Sequence, residues 1–128
     1  MATQESLTCV TLEAGADLSS DQYKMVKLSA ANTIVLCSNA TDAPVGVLQN
    51  KPGSGEAATV AVSGACKLLA GGTIGAGDFV GTDASGTADA KTPGSDTTEY
   101  VVGRALTGAA SGEILTALIN TEAPHRAS

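Results

Sequence analysis

The chain has 128 residues and a mass of 12.5 kDa, light for its length because about half the positions are Ala, Gly, Ser or Thr. Such a length holds one domain and leaves no room for two independently stable cores. A formal net charge of −6 and a pI near 4.5 disfavour nucleic acid and anionic membrane as partners, because neither gains from meeting an acidic surface.

Met1–Glu5 carries no basic stretch and no apolar core follows it, so no secretory signal is expected, and no apolar run approaches the ~18 residues of a membrane span. Residues 1–7 lack periodicity and read as an N-terminal arm. From there the chain alternates short β-prone runs with turn signals. Strands are expected near 8–13, 23–28, 33–37, 44–49, 57–63, 65–70, 78–82, 99–106 and 113–120. The punctuation between them includes Pro52-Gly53-Ser54-Gly55, Gly71-Gly72, Asp83-Ala84-Ser85-Gly86 and Pro93-Gly94-Ser95-Asp96. Residues 121–128 form a polar C-terminal tail, leaving 8–120 as a single all-β domain, a small β-sandwich or β-barrel.

An internal repeat organises that domain. Sliding the sequence on itself by roughly 57 residues aligns Cys9 with Cys66, Gly15 with Gly72, Asp21 with Asp78, Val45-Gly46 with Val102-Gly103, and Gly55-Glu56 with Gly112-Glu113 without a gap. Two similar repeats, about 9–65 and 66–120, are therefore expected. The repeat also decides two ambiguous segments. Ile114–Ile119 and Ser19–Met25 each have a helical reading, but their counterparts, Ala57–Val62 and Ala76–Thr82, are β-branched or glycine-rich and read as strands. Extended structure is expected in both halves.

No reactive constellation emerges. The single histidine, His125, lies in the tail, away from any nucleophile that would need it as a base. Cys9, Cys37 and Cys66 are odd in number and dispersed, which predicts free thiols and neither a disulfide framework nor a metal site. Gly71–Gly77 lacks the Gly-Lys-Ser/Thr ending of a phosphate loop and reads as a tight turn. The repeated acids Asp21 with Asp78 and Glu56 with Glu113 adjoin turn residues, where a carboxylate fixes the turn by accepting backbone N–H groups. Tyr23, Phe79 and Tyr100 are the whole aromatic set, too few for a stacking platform. Lys51, Lys67, Lys91 and Arg104 read as ordinary solvated charges. No catalytic, cofactor-binding or metal-ligating residue is assigned, no cofactor is expected, and the reading is a structural or binding module rather than an enzyme.

Several motifs carry a family resemblance: Ala14-Gly15-Ala16-Asp17-Leu18 followed by Tyr23–Leu28, then Ala43–Pro52, Gly55–Gly64, Ala76–Val80 and Tyr100–Leu106. Together they resemble the capsid decoration (cement) proteins of tailed bacteriophages, over about residues 9–120. That resemblance implies a small, non-enzymatic, β-rich virion protein on the outer surface of the assembled head. It implies homotrimers that brace neighbouring subunits of the major capsid protein, assembly in the host cytoplasm, and no nucleic-acid or membrane partner. The alternative from another class is a trimeric fibre or adhesin-like module that binds a cell-surface glycan.

Overall fold

The computed structural model describes residues 5–121 and 125–127, and no helix forms among them. The strands are β1 (Glu5–Ala14), β2 (Met25–Ala30), β3 (Thr33–Leu36), β4 (Gly46–Leu48), β5 (Ala57–Leu69), β6 (Phe79–Thr82), β7 (Ala88–Lys91), β8 (Tyr100–Val101), β9 (Gly103–Ala105), β10 (Ile114–Asn120) and β11 (His125–Arg126). The all-β expectation holds. Ile114–Asn120 is a strand, and Ser19–Lys24 is a series of turns leading into β2.

β5 is the spine. The sequence suggests a break at Gly64, yet the strand runs through it, because glycine accepts the φ of +109° that bends the backbone there. On either side of that bend, Ser63 and Ala65 are paired on both edges, to β1 on one and β10 on the other. The first half of β5 closes a ring in the order β1-β3-β2-β4-β5, with β5 pairing back to β1. The second half starts another circuit, β5-β10-β9-β6-β7, whose last strand returns to the end of β5 through the bridge Ala70↔Ala88. Two small barrels thus share one strand.

Alternation of side chains explains how both fill. Val26, Ile34, Leu48 and Val60 point into the first ring. Their neighbours Met25, Val47 and Ala61 point the other way and join Leu68, Val80, Val102, Leu115 and Ile119 in the second cluster. The second core therefore borrows the outer wall of the first ring, so neither cluster is a separate unit.

Several boundaries differ from expectation. β1 begins at Glu5, so residues 5–7, read as part of the arm, belong to a strand; residues 1–4 lie outside the described region. The run 99–106 divides at Val102 into β8 and β9. β7 carries no β-branched residue and gave no strand signal, and β11 ties the tail back to β8. Residues 122–124 and 128 of that tail fall outside the description.

Pairings recur between the halves. Val47↔Ala61 in the first has its counterpart in Arg104↔Leu118 in the second, at the spacing of the sequence alignment. The hairpins break that spacing, because Val26↔Leu36 corresponds to Val80↔Ala90, three residues short of it. The gapless alignment does not extend through β2 and β3.

Candidate functional site

The repeated carboxylates sit in turns. Glu56 accepts the N–H of Gly53, and Glu113 accepts that of Ala110 at 2.7 Å. Asp78 accepts the N–H of Gly75 at 2.8 Å, fixing the glycine-rich turn whose Ile74 exchanges backbone hydrogen bonds with Ala109. Asp21 differs from its counterpart: its carboxylate meets Lys24 at 3.0 Å instead of a backbone N–H. Asp83 does similar turn work, accepting from the N–H groups of Ser85 and Thr87. Within the described residues, no three His, Cys, Asp or Glu side chains converge as a metal site would require. His125 pairs through its backbone with Val101.

The three aromatic rings each carry a cation: Lys67 over Tyr23 at 5.9 Å, Arg104 over Phe79 at 4.9 Å and Arg126 over Tyr100 at 5.5 Å. Tyr23 also adopts a left-handed φ of 69°, uncommon for a bulky residue. It is held there by donating to Leu48 at 2.7 Å and accepting from Leu69 at 3.0 Å.

One lysine contradicts the reading of the basic residues as solvated. Lys91 is fully enclosed, its ammonium bonded to Glu99 and, at 3.1 Å, to Asp89. Its stem lies over Gly81, where a Cβ would stand 2.9 Å from the Lys91 Cε and 2.2 Å from the Tyr100 carbonyl oxygen. Burial alone would pull the ammonium pKa down, but the bonds to Glu99 and Asp89 outweigh it and the net shift is upward. The signal was the local sequence, with carboxylates two residues before and eight after, but only the fold shows that the stem is buried. At Asp42 burial pushes the carboxyl up, and Lys27 at 2.9 Å with the N–H groups of Ser38 and Asn39 bring it below the usual range.

Apolar side chains also remain on the surface. Leu118 and Ile114 lie on the outward face of β10, and Leu118 pairs across from Arg104. Leu106 is exposed just past the end of β9. A groove of about 270 Å³ runs beside Leu118, lined among others by Phe79, Arg104 and Asn120. Sequence reading missed this face, because which side of β10 is covered depends on β9 and β5 together.

What the site offers is therefore surface, strand edge and rigid turns. A family model described as phage cement protein matches residues 2–120. The chain belongs to the phage cement protein family. As a member it is a structural protein of the virion, associated with the phage capsid. The crystal structure of the head fiber gp8.5 N base in bacteriophage phi29 is similar in fold, with a TM-score of 0.67 at 21% identity, over 90% of this chain and 95% of that one. None of the curated proteins matches. In this family member the turn carboxylates are held by local backbone hydrogen bonds, and the rings are each met by a cation.

Proposed function

We propose that the chain binds the outside of an assembled phage head and braces neighbouring subunits of the major capsid protein, as a homotrimer and without catalysis. The family match over residues 2–120 carries this reading. The physical logic is avidity. One domain of this size offers limited contact area, but a trimer spanning several capsid subunits makes its later contacts intramolecular, which raises apparent affinity by ~10²–10⁴. Binding to the assembled shell in preference to its dissociated parts stabilises the shell by linkage, roughly 3–4 kcal/mol at high saturation. The test is heat or osmotic challenge of heads with and without the protein. Heads carrying it should survive conditions that empty bare heads, and equal survival would overturn the bracing role.

A second reading, the fibre-like module that binds a glycan, draws on the likeness in fold to a head fiber base. The cation over each of Tyr23, Phe79 and Tyr100 counts against it, because sugars stack on open ring faces. Specific retention on a glycan array would favour it.

A further inference from the structure

We propose that the open edge of β1 takes up an extended segment of the capsid protein as an added strand. The inference rests on the capsid-binding role proposed above and names the element that performs it. Among the described residues, β1 pairs with β5 along Cys9–Glu13, but with β3 at Glu13 and Ala14 alone. Along a strand, backbone groups address alternate sides. Ala14 donates to Glu56 at 2.9 Å, on the β5 side, whereas Glu13 donates to Asn32 at 2.8 Å, on the β3 side. The register with β5 is unbroken from Cys9 to Glu13, so Val10 and Leu12 address β5, and Cys9 and Thr11 address the side where β3 has not yet begun. Thr8–Thr11 are exposed.

The sequence of this edge favours pairing. Leu7-Thr8-Cys9-Val10-Thr11-Leu12 has no charge and no proline and is rich in β-branched residues. Solitary edges are usually guarded by lysine, proline or a bulge, and the irregularity around Thr8 guards only the N-terminal end of this one. An incoming strand exchanges paired hydrogen bonds with Cys9 and Thr11 and stops at the β2–β3 turn, where Asn32 already accepts from Glu13. At that end lies an open groove of about 500 Å³, and the charged residues lining it are Glu13 and Glu56. The segment that fits is uncharged and β-prone, with a Lys or Arg at the end that meets these carboxylates. A second copy of β1 fits poorly, since Leu7–Glu13 contains no cation and would bring another Glu13.

The experiment mixes the full chain with heads assembled without it and follows co-sedimentation and amide exchange. Thr11→Pro removes an N–H that the β5 ladder does not use, so the fold should survive while the edge is blocked. The wild-type chain should bind heads and gain exchange protection over residues 7–13. Thr11→Pro, with unchanged circular dichroism and melting, should bind at least roughly tenfold more weakly, and Glu13→Lys should also lose affinity. If the proline variant does not fold, Thr11→Lys places a charged guard on the same edge and carries the same expectation. Wild-type-like binding by the edge-blocked variant, or binding without protection at 7–13, overturns the edge proposal and leaves capsid binding standing. Failure of the wild-type chain to bind heads overturns both. Protection of Cys9 and Thr11 in a self-associated chain before heads are added overturns the choice of partner in favour of a second copy.

Discussion

The Lys91 ammonium, enclosed on all sides, is bonded to the carboxylate of Glu99, which stays partly open to solvent at 20% exposure. A buried cation in that position is stable only while its counter-charges remain. Glu99→Gln should therefore destabilise the fold by roughly 1–3 kcal/mol, the partial exposure of the carboxylates tempering the larger losses seen when fully buried pairs are broken. Lys91→Met should cost less, because it leaves Glu99 and Asp89 able to reach water. The folded-state pKa of Lys91 lies above its ordinary 10.5, so the pair contributes its full stability below that pH and loses it as pH rises through the folded value. Urea unfolding of the wild type across that alkaline range should show the decline, and Lys91→Met should flatten it. Equal declines in both proteins would contradict the account.

Thiol accessibility gives a second check. All three cysteines are free, with Cys9 exposed and Cys37 and Cys66 buried. Burial pushes the thiols of Cys37 and Cys66 up to about 12, helped at Cys37 by the charge of Asp42 and at Cys66 by Cys9. At mildly alkaline pH one thiol per chain should react quickly with a disulfide reagent and two more only after unfolding. Three fast thiols would contradict the described core.

Glycines test whether the two halves are equivalent. A Cβ on Gly46 would stand 2.3 Å from the carbonyl oxygen of Ala61, and one on Gly103 would stand 2.2 Å from that of Leu118. These positions correspond in the two halves. Gly46→Ala and Gly103→Ala should each cost roughly 1–3 kcal/mol, since backbone cannot move aside as a flexible side chain can. Gly72→Ala, with nothing within 4 Å and no positive φ, should change stability by less than ~0.5 kcal/mol. A large cost at Gly46 with none at Gly103 would break the equivalence of the halves.

The strands legible in sequence were those rich in branched residues and bounded by glycine, such as Ala57–Ser63, and those that borrowed their reading from a repeat partner, such as Ile114–Asn120. Ala88–Lys91 was hidden because its strand character comes from its partners: Ala88 is buried against the end of β5, and Lys91 is held by Glu99. Gly64 misled in the other direction, since a bend and a break look alike in one dimension. The turn role of Glu56 and Glu113 could be read locally, because donor and acceptor lie three residues apart. The β1 edge could not. Its openness follows from where β3 begins relative to a strand about twenty residues upstream, a long-range register that no local pattern encodes.

The central claim is preference for an assembled shell. Labelled protein should be titrated in parallel against intact heads lacking it and against dissociated major capsid subunits, at the same subunit concentration. The account predicts saturable binding to heads at least ~10²-fold tighter than to free subunits, as multivalent contact across a junction requires. Equal affinity for both, or no retention on heads, would contradict it.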